Sequence, residues 1–261
     1  MAPKSKPSGS QTVDRALQIL ECFTLERPSV TLTEISGLTG LTVPTAHRLL
    51  KSLQTREFVV SDDKTRRYSL GPAAMRLAGV IMQRDDVHAV ALPHLERLRA
   101  LTEETVALHW LVEDYRVCVL ELVSRHFMRM TSGTGRRYPL HIGASGKALL
   151  AHLPEESINR ILDKAERDWP GLHFEGNRDA FSKELDAIQD AGFATSHGEV
   201  VEGASALAAP ILDANRHPIT SINITGPSIR FTRERIDSVT PVLLESVQDI
   251  EAQLGYLRVD D

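Results

Sequence analysis

A segment rich in hydroxyl-bearing and basic side chains, residues 42–55, has the residue types best suited to contacting a nucleic acid. Its apolar residues recur at helical spacing, which predicts an amphipathic helix with one buried face. The opposite face presents Thr45, His47, Arg48 and Lys51, side chains of the kind that hydrogen-bond base edges and phosphates in a DNA major groove. A solvated face on an ordinary helix is the alternative, because amphipathic helices are common.

The residues just before this segment would hold it in position. Thr31 and Glu34 have the spacing of a capping box, which predicts the start of a short helix. Gly40 permits a tight turn after that helix, and Thr42 followed by Pro44 predicts where the second helix begins. The two helices together indicate a helix-turn-helix, a motif whose second helix lies in the major groove.

Two further elements would complete a winged helix-turn-helix. Helical spacing predicts a first helix whose apolar stripe consists of Val13, Ala16, Leu17, Leu20 and Phe23. Two short runs, 58–60 and 67–70, flank a polar turn and predict a β-hairpin. Such a hairpin, or wing, can reach phosphates or the minor groove. The basic residues expected near its tip are Lys64, Arg66 and Arg67.

The charge is distributed unevenly along the chain. Residues 1–80 hold 11 Lys and Arg against 7 Asp and Glu, a net charge of +4, whereas residues 81–261 hold 19 against 28, a net charge of −9. A positive N-terminal part is typical of a protein that binds nucleic acid at one end. The composition, 42% apolar and 25% charged, fits one or two soluble globular domains.

Several other classes of protein are disfavoured. Residues 1–11 are polar and lack the apolar core of a signal peptide, and no apolar run is long enough to span a bilayer. We therefore expect a cytoplasmic protein that binds no membrane. Cys22 and Cys118 are far apart in apolar surroundings, which predicts buried thiols and neither a disulfide nor a zinc site.

The histidines do not show the short spacing of a metal site. His109, His141 and His197 would have to converge in the fold to bind a metal, and core or surface positions are the expectation for each. We therefore predict no metal and no cofactor.

The remainder of the chain predicts an α+β fold with a mostly antiparallel sheet. An amphipathic linker helix is expected at 73–86, after the Gly-Pro pair that ends the hairpin, and helices or strands alternate beyond it. The strands are predicted at 105–112, 116–123, 128–131, 193–197, 204–212 and 218–225. The helices are predicted at 87–101, 143–153, 154–167, 178–191 and 232–254.

Residues 141–148, HIGASGKA, form a Gly-rich loop that only partly matches a phosphate-binding loop. Ala148 stands where a hydroxyl would bind magnesium, which disfavours nucleotide hydrolysis. Lys147 stands where a nucleophile elbow needs glycine, which disfavours a hydrolase. A nucleotide-dependent enzyme or a small hydrolase that uses this loop is the rival hypothesis to a DNA-binding protein. A Gly-rich turn that opens a helix can still offer N–H groups to a carboxylate at 144–146, and a purely structural N-cap is the alternative.

The chain resembles the IclR family of transcription regulators along nearly its full length. The resemblance rests on VDRALQIL (13–20), LTEISGLTGLTVPTAHRLLKSL (32–53), YSLGP (68–72), PLHIGASGKALLAHLP (139–154), ALAAPILD (206–213) and INITGPSIRFT (222–232). It implies a winged helix-turn-helix at 10–72, a linker helix at 73–86 and a mixed α/β effector domain, similar to GAF and PAS folds, at 87–258. It also implies a homodimer or a dimer of dimers on a palindromic double-stranded DNA operator, and a small organic acid, often aromatic, as effector.

The resemblance also assigns site residues. For DNA binding, the residue pattern and the resemblance together indicate Thr33, Thr42, Val43, Thr45, His47, Arg48, Lys51, Lys64, Arg66 and Arg67. Carried over by position, the effector pocket comprises Met130, Ala144, Ser145, Gly146, His197, Glu199, Ala206, Leu207, Ala208, Asn223 and Thr225. Among these, Ser145, Asn223 and Thr225 would hydrogen-bond a carboxylate or hydroxyl, while Met130 and Leu207 would form apolar walls. Pro44 departs from the family pattern, which often has a hydroxyl there, so the operator sequence does not follow from the resemblance.

Overall fold

The computed structural model describes residues 10–24, 26–83, 86–168 and 177–256. The chain forms two compact units, which divide between Asp85 and Asp86. In the N-terminal unit the helices are α1 (Gln11–Leu20), α2 (Leu32–Thr39), α3 (Val43–Thr55) and α4 (Pro72–Gln83), and the strands are β1 (Ser29–Thr31), β2 (Val59–Asp62) and β3 (Arg67–Leu70). The predicted winged helix-turn-helix is confirmed.

The N-terminal core lies among the three first helices and β2. Ile19, Ile35, Leu50 and Val59 are almost fully buried there. The predicted stripe on α1 is wrong in part, because Val13 and Leu17 are 55% and 53% exposed. The buried side is instead rotated toward a second set at helical spacing, which consists of Ala16, Ile19, Leu20 and Phe23.

The capping box at the start of α2 is confirmed. The Glu34 backbone N–H donates to Thr31 Oγ1 at 3.2 Å, and the Thr31 backbone N–H donates to Glu34 Oε2 at 2.6 Å. Gly40 ends the helix at φ +69°, in the left-handed region that glycine adopts without strain. These local contacts determine where α2 begins and ends, and therefore how α3 leaves the turn.

Strand β1 was not predicted from the sequence. It is three residues long, too short to show a period of two, and it pairs antiparallel with β3 through Ser29 opposite Ser69 and Thr31 opposite Arg67. The β2–β3 wing is thus part of a three-stranded sheet in the order β1-β3-β2, and its third strand, β1, leads directly into α2.

The C-terminal unit is built on a six-stranded sheet. Its strands are β4 (Thr105–Val112), β5 (Tyr115–Leu122), β6 (Arg137–Pro139), β7 (Ala194–His197), β8 (Ala204–Leu212) and β9 (Pro218–Pro227), and its helices are α5 (Asp86–Thr102), α6 (Gly143–Leu150), α7 (Glu155–Asp168), α8 (Arg178–Ala191) and α9 (Arg233–Gln253). The order is β6-β5-β4-β9-β8-β7, and every neighbouring pair is antiparallel. Residues 128–131, predicted as a strand, are irregular, and residues 137–139, where no strand was predicted, form β6.

Helices cover both faces of this sheet. Helices α5 and α9 pack on one face, where Leu207 and Ile224 are fully buried. Helices α6, α7 and α8 cover the other face, where Ala206 and Ala208 belong to a separate core. The two faces alternate along β8 because successive side chains of a strand point in opposite directions.

The two thiols, Cys22 and Cys118, are buried and free, as predicted. Across the described ranges, no helix is both long and apolar enough to cross a membrane. Within the same residues, no group of three or more His, Cys, Asp or Glu side chains is arranged to hold a metal ion.

Candidate functional site

One face of α3 presents exposed polar side chains. Ala46, Leu49 and Leu50 turn into the core, so His47, Arg48 and the predicted Lys51 point to solvent. Neither Arg48 nor Lys51 forms an ion pair with any described residue. The two cations are therefore available to an external anion.

The start of α3 and the first turn of α2 place the other predicted residues of this surface. Thr42 and Val43 are exposed at the N-terminus of α3, and Thr33 is exposed on α2. Thr45 is half-buried, and its hydroxyl lies 2.9 Å from the hydroxyl of Thr42. These two hydroxyls form a pair at the N-terminal end of α3.

The wing tip is held by Asp62. Its carboxylate accepts hydrogen bonds from the Lys64 backbone N–H at 2.8 Å and from the Thr65 hydroxyl at 2.9 Å. Lys64 and Arg66 are exposed at this turn, and Arg66 has φ +52°. The tip therefore displays two cations on a constrained turn.

Arg67, predicted with them, lies elsewhere. Its guanidinium donates to the Ser29 carbonyl oxygen at 2.7 Å and to the Ser29 hydroxyl at 2.9 Å, and it forms an ion pair with Glu34 at 3.3 Å. These contacts attach β3 to β1 and to the first turn of α2. The difference arises because the sequence did not reveal β1, the strand that Arg67 contacts.

The C-terminal unit contains a cavity of about 200 Å³ beside the α6 face of the sheet. This volume is below the ~300–1,000 Å³ of pockets for drug-sized ligands, so the cavity fits a small metabolite. Six of the predicted pocket residues line it: Met130, Ala144, Glu199, Ala206, Asn223 and Thr225.

The other five predicted pocket residues do not line this cavity. Ser145 is buried and its hydroxyl lies 2.7 Å from that of Ser221. Gly146 packs directly against the Leu140 carbonyl, and His197 is exposed with Nδ1 3.0 Å from the Ser205 hydroxyl. The remaining two are core residues of β8: Leu207 faces α5 and α9, and Ala208 is covered by the helices of the opposite face.

Arg116 is a cavity residue that was not predicted from the sequence. Arg116 is 4% exposed on β5, and its Nη1 donates to the carbonyl oxygens of Pro139 and Ile142, both at 2.7 Å. Its guanidinium carbon lies 5.0 Å from the centre of the Tyr138 ring. A basic residue at the first position of a predicted strand has no spacing that would reveal a site.

His109 on β4 is a second cavity residue that the sequence analysis did not select for this site. Its ring is 2% exposed, and Nδ1 has no hydrogen-bond partner among the described residues. Burial, and secondarily the charge of Arg116, hold the pKa of His109 well below its ordinary value. The imidazole is therefore neutral at neutral pH.

An ion-pair network closes one side of the cavity. The Glu199 carboxylate accepts hydrogen bonds from the Gly143 backbone N–H at 2.7 Å and from the Lys147 ammonium at 2.6 Å. Lys147 donates a second bond to Glu184 at 2.7 Å. Glu199 thus occupies the N-terminus of α6, where the sequence analysis left open either a ligand carboxylate or a structural cap.

The two enzyme hypotheses need a free Lys147 ammonium or a free Ser145 hydroxyl. Lys147 is bound by two carboxylates, and the hydroxyl of Ser145 is paired with that of Ser221. Burial raises the pKa of the nearby Cys118 thiol to about 12, so this sulfur is not a nucleophile at neutral pH. The geometry favours binding over chemistry.

Comparison with known proteins gives consistent matches to both units. Residues 12–63 match the family model described as the IclR helix-turn-helix domain, and residues 80–252 match the one described as the bacterial transcriptional regulator IclR C-terminal domain. The HTH-type transcriptional regulator KipR of Bacillus subtilis is 29% identical over 95% of this chain and 98% of its own length. The transcriptional repressor IclR of Escherichia coli is 29% identical over 95% of this chain and 91% of its own. The crystal structure of a transcriptional regulator from Alicyclobacillus acidocaldarius superimposes with a TM-score of 0.79 at 25% identity, covering 94% of this chain and 98% of that one.

Proposed function

Because this chain belongs to the IclR family of bacterial transcriptional regulators, with a helix-turn-helix and a C-terminal effector-binding domain, we propose which surfaces perform the two functions. Helix α3 and the tip of the β2–β3 wing bind a DNA operator. A small organic acid in the cavity of the C-terminal unit modulates that binding. The regulator acts as a homodimer or a dimer of dimers on a palindromic operator.

The observation that supports the DNA-binding surface best is the outward face of α3. Arg48 and Lys51 lie one helical turn apart on that face, both exposed and both without an ion pair among the described residues. An arginine in this position can bind a guanine edge or a phosphate, and a lysine one turn on can bind a phosphate. Lys64 and Arg66 on the wing add two further cations for the backbone.

The effector would modulate operator binding by shifting the population of states that can bind the operator. An effector changes operator affinity only by as much as its own affinity differs between operator-competent and operator-incompetent states. We therefore expect an acid that fills the cavity to change operator affinity by about 5- to 150-fold, the range of ordinary allosteric coupling.

A DNA-binding assay tests the surface. Purified protein is titrated into a labelled duplex from upstream of its own gene, with a scrambled duplex as control, at two salt concentrations. Replacing Arg48 by Ala should weaken operator binding by about 1–3 kcal/mol if it reads a base. The matched control is Arg97→Ala, which removes an exposed arginine of α5 that pairs with Glu245, and it should leave DNA binding unchanged.

Each contrary outcome has a definite meaning. Unchanged operator binding by Arg48→Ala would refute the placement of α3 in the groove. Equal binding to both duplexes, lost as salt rises, would show only the sequence-independent electrostatic component. Absence of binding at low salt would remove the DNA-binding proposal altogether.

A further inference from the structure

The cavity contains a buried cation, Arg116, that forms no ion pair with any described residue. Both protons of Arg116 Nη1 are used by backbone carbonyls, which fixes the guanidinium plane but supplies no negative charge. Its Nε makes no hydrogen bond with any described residue, and the guanidinium forms no salt bridge with those residues. A buried charge in this condition is unfavourable, so the site is incomplete without an anion.

The nearest candidate for a counter-ion is already committed. Glu199 lines the same cavity, but one of its oxygens accepts from Lys147 and the other from Gly143. Lys147 itself is balanced by Glu199 and by Glu184 at the surface. Arg116 is thus a buried cation that no described carboxylate contacts directly, and Glu199 acts on it only through space. Burial lowers the pKa of Arg116 to about 10, so the side chain stays protonated at neutral pH.

The rest of the cavity offers neutral polar groups. His109 pairs with Cys118 across β4 and β5, and Arg116 lies two residues further along β5 on the same face. The neutral His109 ring has an unpartnered Nδ1, while Asn223 and Thr225 are hydrogen-bonded to each other at 2.6 Å. A second ionised group beside these neutral residues would lie near Glu199, and the other arginine of the lining, Arg136, is exposed and already solvated.

We propose that Arg116 binds the carboxylate of the effector and that the cavity selects acids with a single negative charge and a neutral polar group, a hydroxyl or carbonyl, at the His109 end. This inference rests on the proposed function, because it assumes that the cavity is the effector site. Two N–H groups of a guanidinium can bind both oxygens of one carboxylate, which orients the ligand as well as neutralising the charge.

Calorimetric titration of the full-length protein without DNA tests the inference. The probes are four monocarboxylates (pyruvate, lactate, benzoate and 4-hydroxybenzoate), the primary amide of each, and two dicarboxylates, succinate and terephthalate. We expect at least one monocarboxylate to bind, and its amide to bind at least ~10-fold more weakly because a charge-assisted hydrogen bond is lost. Terephthalate should bind more weakly than benzoate, and succinate should bind more weakly than lactate or pyruvate.

Variants identify the residue. Arg116→Gln should weaken the binding of that acid at least ~10-fold while leaving its amide unaffected, and Arg116→Lys should retain part of the preference for the acid. The control is Arg137→Gln, which removes an exposed arginine of β6 outside the cavity lining and should change the affinity by less than ~3-fold because its charge is solvated. Circular dichroism verifies the fold of each variant. The acid-to-amide ratio of the unmodified protein needs no variant and stands if Arg116→Gln fails to fold.

Four results would overturn the inference: no binding by any monocarboxylate, equal binding of an acid and its amide, tighter binding of a dicarboxylate, or an acid affinity that Arg116→Gln leaves unchanged. Operator titrations with the same acids separate this failure from that of the proposed function. If an acid changes operator affinity equally in the unmodified protein and in Arg116→Gln, the regulator proposal stands and the role of Arg116 fails. If Arg116 is required for acid binding but operator affinity never responds, the role of Arg116 stands and the proposed modulation of operator binding fails.

Discussion

Replacing Lys147 by Met should destabilise the C-terminal unit because it leaves the Glu199 carboxylate without its cationic partner. The side chain of Lys147 is 5% exposed, and its ammonium bridges Glu199 at 2.6 Å and Glu184 at 2.7 Å. Methionine has a similar length and apolar stem, so the change removes the charge and leaves little cavity. Glu199, 17% exposed, would keep only the Gly143 N–H as a partner.

The magnitude follows from the exposure of the two acids. Breaking a buried ion pair by removing one partner costs about 3–5 kcal/mol. Glu199 retains some contact with water, so we take the lower end, about 3 kcal/mol. Glu184 is 45% exposed and regains hydration when its partner is lost, so its own contribution is at most about 1 kcal/mol.

A double-mutant cycle separates the free-energy cost of leaving the Glu199 charge unpaired from the cost of lost packing around Lys147. Glu199→Gln alone should cost about 2 kcal/mol, because Lys147 keeps Glu184 as a solvated partner. The double variant Lys147→Met with Glu199→Gln should cost less than the sum of the two by about 2 kcal/mol, since no unpaired ion remains. The control is Lys183→Met on the exposed side of α8, which should stay within about 0.5 kcal/mol of the unmodified protein.

Urea unfolding followed by circular dichroism measures these free energies, and calorimetry gives the melting temperatures. A loss of about 3 kcal/mol should lower the melting temperature by about 6–12 °C in a unit of this size. Strict additivity of the two single changes would refute the reasoning, because it would mean that the two charges do not interact. A cost for Lys147→Met no larger than for Lys183→Met would refute it as well.

Two further predictions concern the same unit. Because the pKa of His109 is low in the folded chain, the unfolded chain binds a proton below about pH 6.5 that the folded chain does not bind. The free energy of unfolding should therefore fall by up to about 1.4 kcal/mol per pH unit as the pH drops below that value. Above it, this group should make no contribution to the pH dependence. Urea unfolding between about pH 7.5 and 5.5 should show a shallower fall in His109→Gln, and an unchanged slope would contradict the assignment. Gly146→Ala should cost about 1–3 kcal/mol, because its Cβ would lie 2.5 Å from the Leu140 carbonyl oxygen and would also meet the guanidinium of Arg116. Gly37→Ala in exposed α2 has open space around it and should be neutral or slightly stabilising in the same urea experiment.

The local features of the N-terminal unit were predictable from the sequence. The Thr31 capping box, the Gly40 turn and the start of α3 depend on contacts within a few residues, so their spacing in the chain states their geometry. The outward face of α3 followed for the same reason, since a helix places residues three and four apart on one side. A strand as short as β1 shows no residue periodicity that would predict it. The contacts of Arg67 with Ser29 could therefore not be predicted either.

The cavity illustrates the converse. The sequence located the Gly-rich turn at the start of α6 and, through the family resemblance, six of the residues that line the cavity. It did not select Arg116 or His109 for the site, because the face on which a strand residue lies depends on register, and a register shift between Leu108 and His109 alters the pairing with β5.

The sequence by itself therefore determined the class of fold, the longer helices and strands and the exposed cations of α3, all of which depend on short-range periodicity and capping. Only the tertiary structure decided the electrostatics of the cavity. Lys147 and Glu199 are separated by 52 residues and still form one ion pair, while Arg116 donates to backbone carbonyls on another segment and forms no ion pair with a described carboxylate. Charge balance inside a protein is set by which distant groups packing brings together, and no local pattern in the chain records that.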